Sequence, residues 1–372
     1  MQIDSIEVFH VALPLRQPQQ TRTGSLETLE TVLVKMQSGE LAGWGEASPG
    51  NAPVSGPDWA GGAFRCIKDW LAPAVAGTFV DSADVLTERF KPFHGNRFAK
   101  AAVDTAWWDL RARSEGKPLH EPLDPKRDAI EVGPTFDQED SIDDFLARIG
   151  EAFSAGFARV KLMIRPGWDI QMLDFVRKEF PTETIFGDAE AAMGLEHSDT
   201  IYRFEDFGLD LFEQPLPADD LVGHAMIQDT LRTPLCLDES ITTVRQADMA
   251  LELKSCRAMN IEPGRVGGLT PAIEIHDLCR NLCIPCYVGG RPQSGVGVRT
   301  GLALSAKENF PYPADFFPAE QVLQEDLLPA LRPVRASKEG NLQIPLWPES
   351  GIGVAPDPDV LEKFALHRAI VQ

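Results

Sequence analysis

The sequence predicts an α/β protein built around a parallel (β/α) barrel of the TIM type, preceded by a smaller α+β domain. Three observations predict it. Apolar runs at 130–134, 159–164, 184–188, 209–213, 235–238, 258–262 and 284–288 alternate with amphipathic segments at a spacing near 25 residues. That is the length of one strand, one helix and their two loops. Upstream, strand-like segments come first and helical ones follow, the order of an α+β unit. Finally, three successive runs end on a carboxylate, Asp188, Glu213 and Asp238, at a constant interval of 25 residues. Successive staves of a closed barrel would bring these acids to the face where barrel enzymes do chemistry.

In chain order, residues 3–13 and 30–37 alternate apolar with polar side chains, and Ser38-Gly39 turns the chain into a third strand at 42–46. This is the pattern of an antiparallel meander. Helical stretches follow at about 60–78 and at 98–114, the second closed by Gly116 and Pro118. The first domain is thus expected over residues 1–125 and the barrel over 126–319. An open doubly wound sheet is the structural alternative, but no strand is followed by a Gly-rich dinucleotide fingerprint. The segment 320–372, rich in proline and acid and with a strand-like stretch at 342–346, is expected to pack back on the first domain and complete it.

Bulk properties narrow the function. The 372 residues are 43% hydrophobic and 24% charged, an ordinary globular balance. A formal net charge of −21 disfavours nucleic acid or an anionic membrane as partner. No apolar run is long enough to span a bilayer, and the N-terminus lacks a basic region followed by an apolar stretch, so a cytoplasmic location is expected. The six cysteines sit mostly in apolar contexts and read as buried thiols.

Strand parity assigns faces. Lys161 and Met163 share one, Asp188 and Glu190 share one if the strand continues past Asp188, and Asn260 pairs with Glu262. A single acid at a strand end is more often a cap or a surface residue. Three at equal spacing point to a hard divalent cation such as Mg²⁺, because a bare acid cluster in low dielectric is strongly unfavourable. His276, Cys279, Cys283 and Cys286 mimic zinc spacing, but 276, 279 and 283 fall on one helical stripe, which favours packing. Trp107 and Trp108 likewise read as core of an amphipathic helix.

The runs 156–169 (GFARVKLMIRPGWD), 187–191 (GDAEA), 213–216 (EQPL), 237–241 (LDESI), 260–268 (NIEPGRVGG) and 289–297 (GGRPQSGVG) together resemble the enolase superfamily, in its muconate-lactonizing branch. The o-succinylbenzoate synthase/N-acylamino acid racemase group is the nearest likeness. The resemblance implies an α+β capping domain over a modified (β/α) barrel, Mg²⁺ held by Asp188, Glu213 and Asp238, and a homo-oligomer. It implies a small carboxylate substrate from which a proton is abstracted α to the carboxylate, with the enediolate stabilised by the metal.

Two departures stand out. The family's Lys-x-Lys on the second strand reads Lys161-Leu162-Met163, and the lysine expected before Pro-Gly-Arg is Glu262. Glu190 stands where the family usually has Asn. A thioether accepts no proton, so two-base racemisation is not expected. Glu262, with a pKa raised by burial among acids, is the expected one-sided base, and Lys161 the expected orienting or polarising cation. Five inward acids against one lysine and one Mg²⁺ leave an excess of two negative charges, which a protonated Glu262, a second cation or a cationic substrate group would relieve. Arg22, in a lid loop at 17–25, and Arg291 and Gln293 after the seventh strand join Glu190 as expected substrate contacts. The resulting expectation is a diverged lyase or isomerase of the o-succinylbenzoate synthase/muconate cycloisomerase type. Its competitor is a catalytically inactive relative that binds a ligand through the metal.

Overall fold

The structure, a computed structural model, describes residues 1–372 except Arg22, Thr23, Ser55, Lys338 and Glu339, with residues 19–21 and 24 described by backbone only. Arg22 therefore lies outside the described residues. The chain opens with three antiparallel strands, β1 (Ser5–Thr21), β2 (Gly24–Ser38) and β3 (Leu41–Ala47). Alternation gives this sheet two apolar faces. Ile6, Val8, Val32, Val34 and Met36 pack on the helices that follow, α1 (Ala60–Cys66), α2 (Ala83–Phe90) and α3 (Arg97–Ser114). Phe9, Val11, Leu13, Leu33 and Trp44 pack toward the barrel. The expected helix at 60–78 is helical only to Leu71, its second half being a short π-type stretch, Ile67–Leu71. Gly43 and Gly45 let β3 lie directly on α3, because a Cβ at either would collide with the helix backbone at Ala106, Leu110 or Ala102.

Eight strand positions then form a closed parallel ring. They are β4 (Ala129–Gly133), continued past Pro134 as β5 (Thr135–Phe136), then β6 (Arg159–Met163), β7 (Thr184–Asp188), β8 (Leu211–Glu213), β9 (Leu235–Leu237), β10 (Ala258–Asn260), β11 (Cys286–Tyr287) and β12 (Ala314–Asp315). All seven expected runs are strands. The eighth strand, β12, closes the ring by pairing in parallel with β4, while the Asp315 N–H donates to the Val288 carbonyl at 3.1 Å on the other side. Helices follow the strands: α4 (Ile142–Ala155), α5 (Ile170–Glu179), α6 (Ser198–Arg203), α7 (Leu221–Thr230), α8 (Val244–Glu252), the short α9 (Pro263–Val266), α10 (Leu269–Asn281) and the largely buried α11 (Gly295–Ser305). Trp107 is core, and Trp108 donates to the Thr270 hydroxyl at 2.9 Å. On α10, His276 stacks on Phe310 and bonds the Glu308 carbonyl, a packing role, with Cys279 buried beside it.

The C-terminal expectation needs one correction. The strand at 342–346, β14 (Leu342–Pro345), pairs with β4 at the barrel and with the short β13 (Val334–Arg335), not with the first sheet. The strand that returns to β1 is β15 (Ala365–Val371). Its polar, largely exposed outer face had masked it as an edge strand.

Two buried carboxylates fasten the first domain to helix N-termini of the barrel. Asp104 of α3 accepts from the Thr270 N–H at 3.1 Å and from the Thr270 hydroxyl, at the start of α10. Glu46 of β3 accepts from Ser294 N (2.9 Å), Ser294 Oγ (2.6 Å) and Gly297 N (2.7 Å), at the start of α11. Unpaired helix N–H groups and the dipole both favour an acid there. Burial nonetheless pushes both carboxyls up to about 7, from ordinary values of 4.5 for Glu46 and 3.8 for Asp104. The folded protein thus holds these protons more tightly than the unfolded chain. Their stabilising contribution is complete below the ordinary values and is lost as pH rises through about 7. Urea unfolding from pH 4 to 8 should show Glu46→Gln and Asp104→Asn each removing up to about 3 kcal/mol of that fall. Equal pH slopes in wild type and variants would refute it.

Candidate functional site

The residues at the C-terminal ends of the parallel strands form one buried, charged cluster. Asp188 ends β7 and is the register partner of both Met163 on β6 and Glu213 on β8. Asp238 follows β9 directly. Lys161 points inward from β6 and reaches Asp315 at 2.7 Å, Asp188 at 3.0 Å and Glu213 at 3.2 Å. Burial alone would lower its pKa, but the three carboxylates outweigh it and hold the ammonium well above its ordinary value. Lys161 is a fixed cation here.

Arg159, two residues earlier and so on the same face of β6, is fully buried against Asp315 at 2.5 Å and lies over the Phe186 ring. Gly133 makes room for it, since a Cβ there would run into the Arg159 side chain. Asp238 pairs with Arg265, which also reaches Glu262 at 2.9 Å. Glu262 is held a second time by Arg291 at 3.0 Å, and the Arg291 guanidinium lies over the Phe98 ring of α3, 5.2 Å from its centroid. Burial raises the Glu262 carboxyl, but Arg291 and Arg265 overcome it and keep it below the ordinary range. This corrects the expectation of a near-neutral Glu262: the two arginines replace the acidic neighbours that expectation assumed. A cavity between the first domain and the barrel is lined by Glu46, Phe98, Glu262, Arg291, Gln293 and Asp315. Asp188, Glu213 and Asp238 lie outside that lining.

Glu190 departs from its expected place. The strand ends at Asp188, and Glu190 and Ala191 turn with φ of 47° and 57°. The Glu190 N–H donates to Asp188 Oδ1 at 2.9 Å; the residue is exposed in area, yet partial burial and the nearby Glu239 carboxylate push its carboxyl up, with Arg165 and Arg291 opposing.

The three ladder acids suit a hard divalent ion in donor type and in placement on adjacent strand ends. Burial pushes the carboxyls of Asp188, Glu213 and Asp238 upward, the mark of acids short of positive charge. Among the described residues, no three acids are drawn close enough to ligate one ion as they stand. Charge balance speaks for the ion. The ion-paired cluster holds six carboxylates (Asp188, Glu213, Asp238, Glu239, Glu262, Asp315) and four cations (Lys161, Arg159, Arg265, Arg291), a deficit of two that one divalent cation closes. Lys161 would keep Asp315, its nearest partner. Parity with Lys161 could have flagged Arg159, and the PGR run Arg265; nothing flagged Asp315.

Two family models match. Residues 3–123 match the mandelate racemase/muconate lactonizing enzyme N-terminal domain, and residues 144–360 the enolase C-terminal domain-like family. The chain is 35% identical to an o-succinylbenzoate synthase of Geobacillus kaustophilus, over 97% of this chain and 96% of that protein. It is 34% identical to an N-succinylamino acid racemase of Thermus thermophilus, over 95% and 94%. The crystal structure of an enolase superfamily member from Listeria innocua superposes with a TM-score of 0.93 at 30% identity, covering 100% of this chain and 99% of that one. With both domains matched along nearly the whole length, the chain belongs to the enolase superfamily, in its muconate-lactonizing branch.

Proposed function

We propose that this protein is a Mg²⁺-dependent lyase or one-sided isomerase of a small carboxylate, with Glu262 as its proton-transfer group. Family membership supports the lyase or isomerase class. Asp188, Glu213 and Asp238 would hold the ion, which when bound supplies charge neutralisation at the substrate carboxylate. The observation that carries the reading is the placement of Glu262: it lines the cavity and is kept ionised by Arg265 and Arg291. An ionised carboxylate of low pKa is a competent acceptor once the substrate's own acidity is raised. Lys161, held as a cation by three carboxylates, orients an anionic group. Arg291 and Gln293 shape the cavity wall, whereas exposed Glu190 contributes at the rim. N-succinylamino acid racemases are among the relatives, but the two-base route needs an acceptor on each face, and Met163 supplies none.

Incubation with Mg²⁺ and a panel of small carboxylates in deuterated water tests this. Deuterium entry at the α carbon, or loss of water, is expected, and Glu262→Gln should lower it at least a hundredfold. Exchange undiminished in that variant would remove Glu262 from the mechanism. The double guanidinium clamp favours a second reading, a metal-dependent binding protein with Glu262 locked in an ion pair. Ligand-induced stabilisation without any exchange would select it.

A further inference from the structure

Glu213 is gripped by two groups that the proposed reaction does not use. Asn260 Nδ2 donates to Glu213 Oε1 at 2.7 Å, and Glu213 Oε2 accepts from the Tyr287 hydroxyl and from Lys161 Nζ at 3.2 Å. Asn260 also donates to the Tyr287 oxygen at 3.2 Å, so the two donors are tied to each other. The Asn260 carbonyl oxygen in turn accepts from the Gly289 N–H at 2.8 Å, which sets which end of the amide faces Glu213. Gly289 has to be glycine for this, since a Cβ would occupy the space of the Asn260 amide. Glu213, Asn260 and Tyr287 are all buried, and their three strands are β8, β10 and β11, so the contacts span the barrel interior across β9.

From this geometry we infer that Asn260 and Tyr287 are positioning residues that fix the orientation of the Glu213 carboxylate for divalent-metal binding. The inference rests on the metal site proposed above. A carboxylate with a donor on each oxygen cannot rotate about its terminal bond without breaking both contacts. With Oε2 taken by Tyr287 and Lys161, the lone pair left on Oε1 points in one direction, where an ion would find it preset rather than having to order it on binding. Removing such an outer partner weakens metal affinity by about 10–100-fold in general. Packing alone would predict no such loss, because Tyr287 keeps its ring contacts with Phe186 and Tyr312 when only its hydroxyl is removed.

The test is calorimetric titration of the full chain with MgCl₂ after chelation, for wild type, Tyr287→Phe, Asn260→Leu and Tyr312→Phe. Tyr312 is the control, a neighbouring tyrosine whose ring meets Phe186 and Tyr287 and which, among the described residues, makes no hydrogen bond to a ladder acid. Tyr287→Phe and Asn260→Leu should each raise Kd tenfold or more, with unchanged circular dichroism, and Tyr312→Phe should leave it within twofold. Should Asn260→Leu fail to fold, Tyr287→Phe decides alone. Wild-type affinity in Tyr287→Phe, or an equal loss in Tyr312→Phe, overturns the inference and leaves the metal site standing. A wild-type protein that binds no Mg²⁺ overturns the site and the inference together.

Discussion

Replacing Lys161 by methionine should destabilise the chelated protein by about 3–5 kcal/mol, the usual consequence of removing one partner from a buried charge pair. Lys161 stands within 3.2 Å of Asp188, Glu213 and Asp315. Asp315 would keep Arg159, but Asp188 would lose its only ion-pair partner among the described residues. Mg²⁺ should then restore much of the loss, because the ion supplies the charge that the ammonium took away, with a gain that grows with concentration over Kd. Urea unfolding of wild type and Lys161→Met, each with chelator and with millimolar Mg²⁺, gives the four values needed. Equal stability of the two proteins in chelator would show that the acids do not form a low-dielectric cluster. A variant that Mg²⁺ fails to stabilise would argue against the metal site.

The second large effect concerns Glu262. Restoring a lysine there would place an ammonium between the Arg265 and Arg291 guanidinium groups, which now hold a carboxylate. Glu262→Lys alone should therefore cost about 3–5 kcal/mol. Arg291→Met, which removes one of the two guanidinium groups, should recover more than about 1 kcal/mol of it through coupling between neighbours. The double-mutant cycle measures this directly, and additive effects would refute the clamp. The same coupling bears on any attempt to recreate the family's two lysines. Met163→Lys with Glu262→Lys is incomplete without a change at Arg291, because the arginine is matched to the glutamate.

The barrel was legible because each of its first seven strands is an apolar run long enough to register, and because a 25-residue period repeats often enough to imply closure. β12 was not, since its two residues sit between Pro313 and a Phe-Phe-Pro stretch, a context that demotes a strand. With β12 went Asp315, and with Asp315 the charge balance. The excess of two negative charges inferred from five acids and one lysine was assembled from the wrong members. Exposed Glu190 does not belong to the buried set, whereas Asp315, Arg159 and Arg265 do. Glu262 was misread for the same reason. Its pKa depends on two arginines supplied by a helix turn and a loop, and strand parity is silent about both.

The pairing of β15 with β1 also sets a condition on synthesis at the ribosome. β15 begins more than 300 residues after β3 ends, so the first sheet lacks its outer strand until the whole barrel has been translated. At roughly 5–20 residues per second, that wait lasts from about a quarter of a minute to about a minute. Throughout it, the free edge of β1 presents unpaired backbone groups to any neighbouring nascent chain. The interval between the first and last strands of one sheet is thus the period in which this protein is most exposed to mispairing, and the period in which a chaperone would have the most to cover.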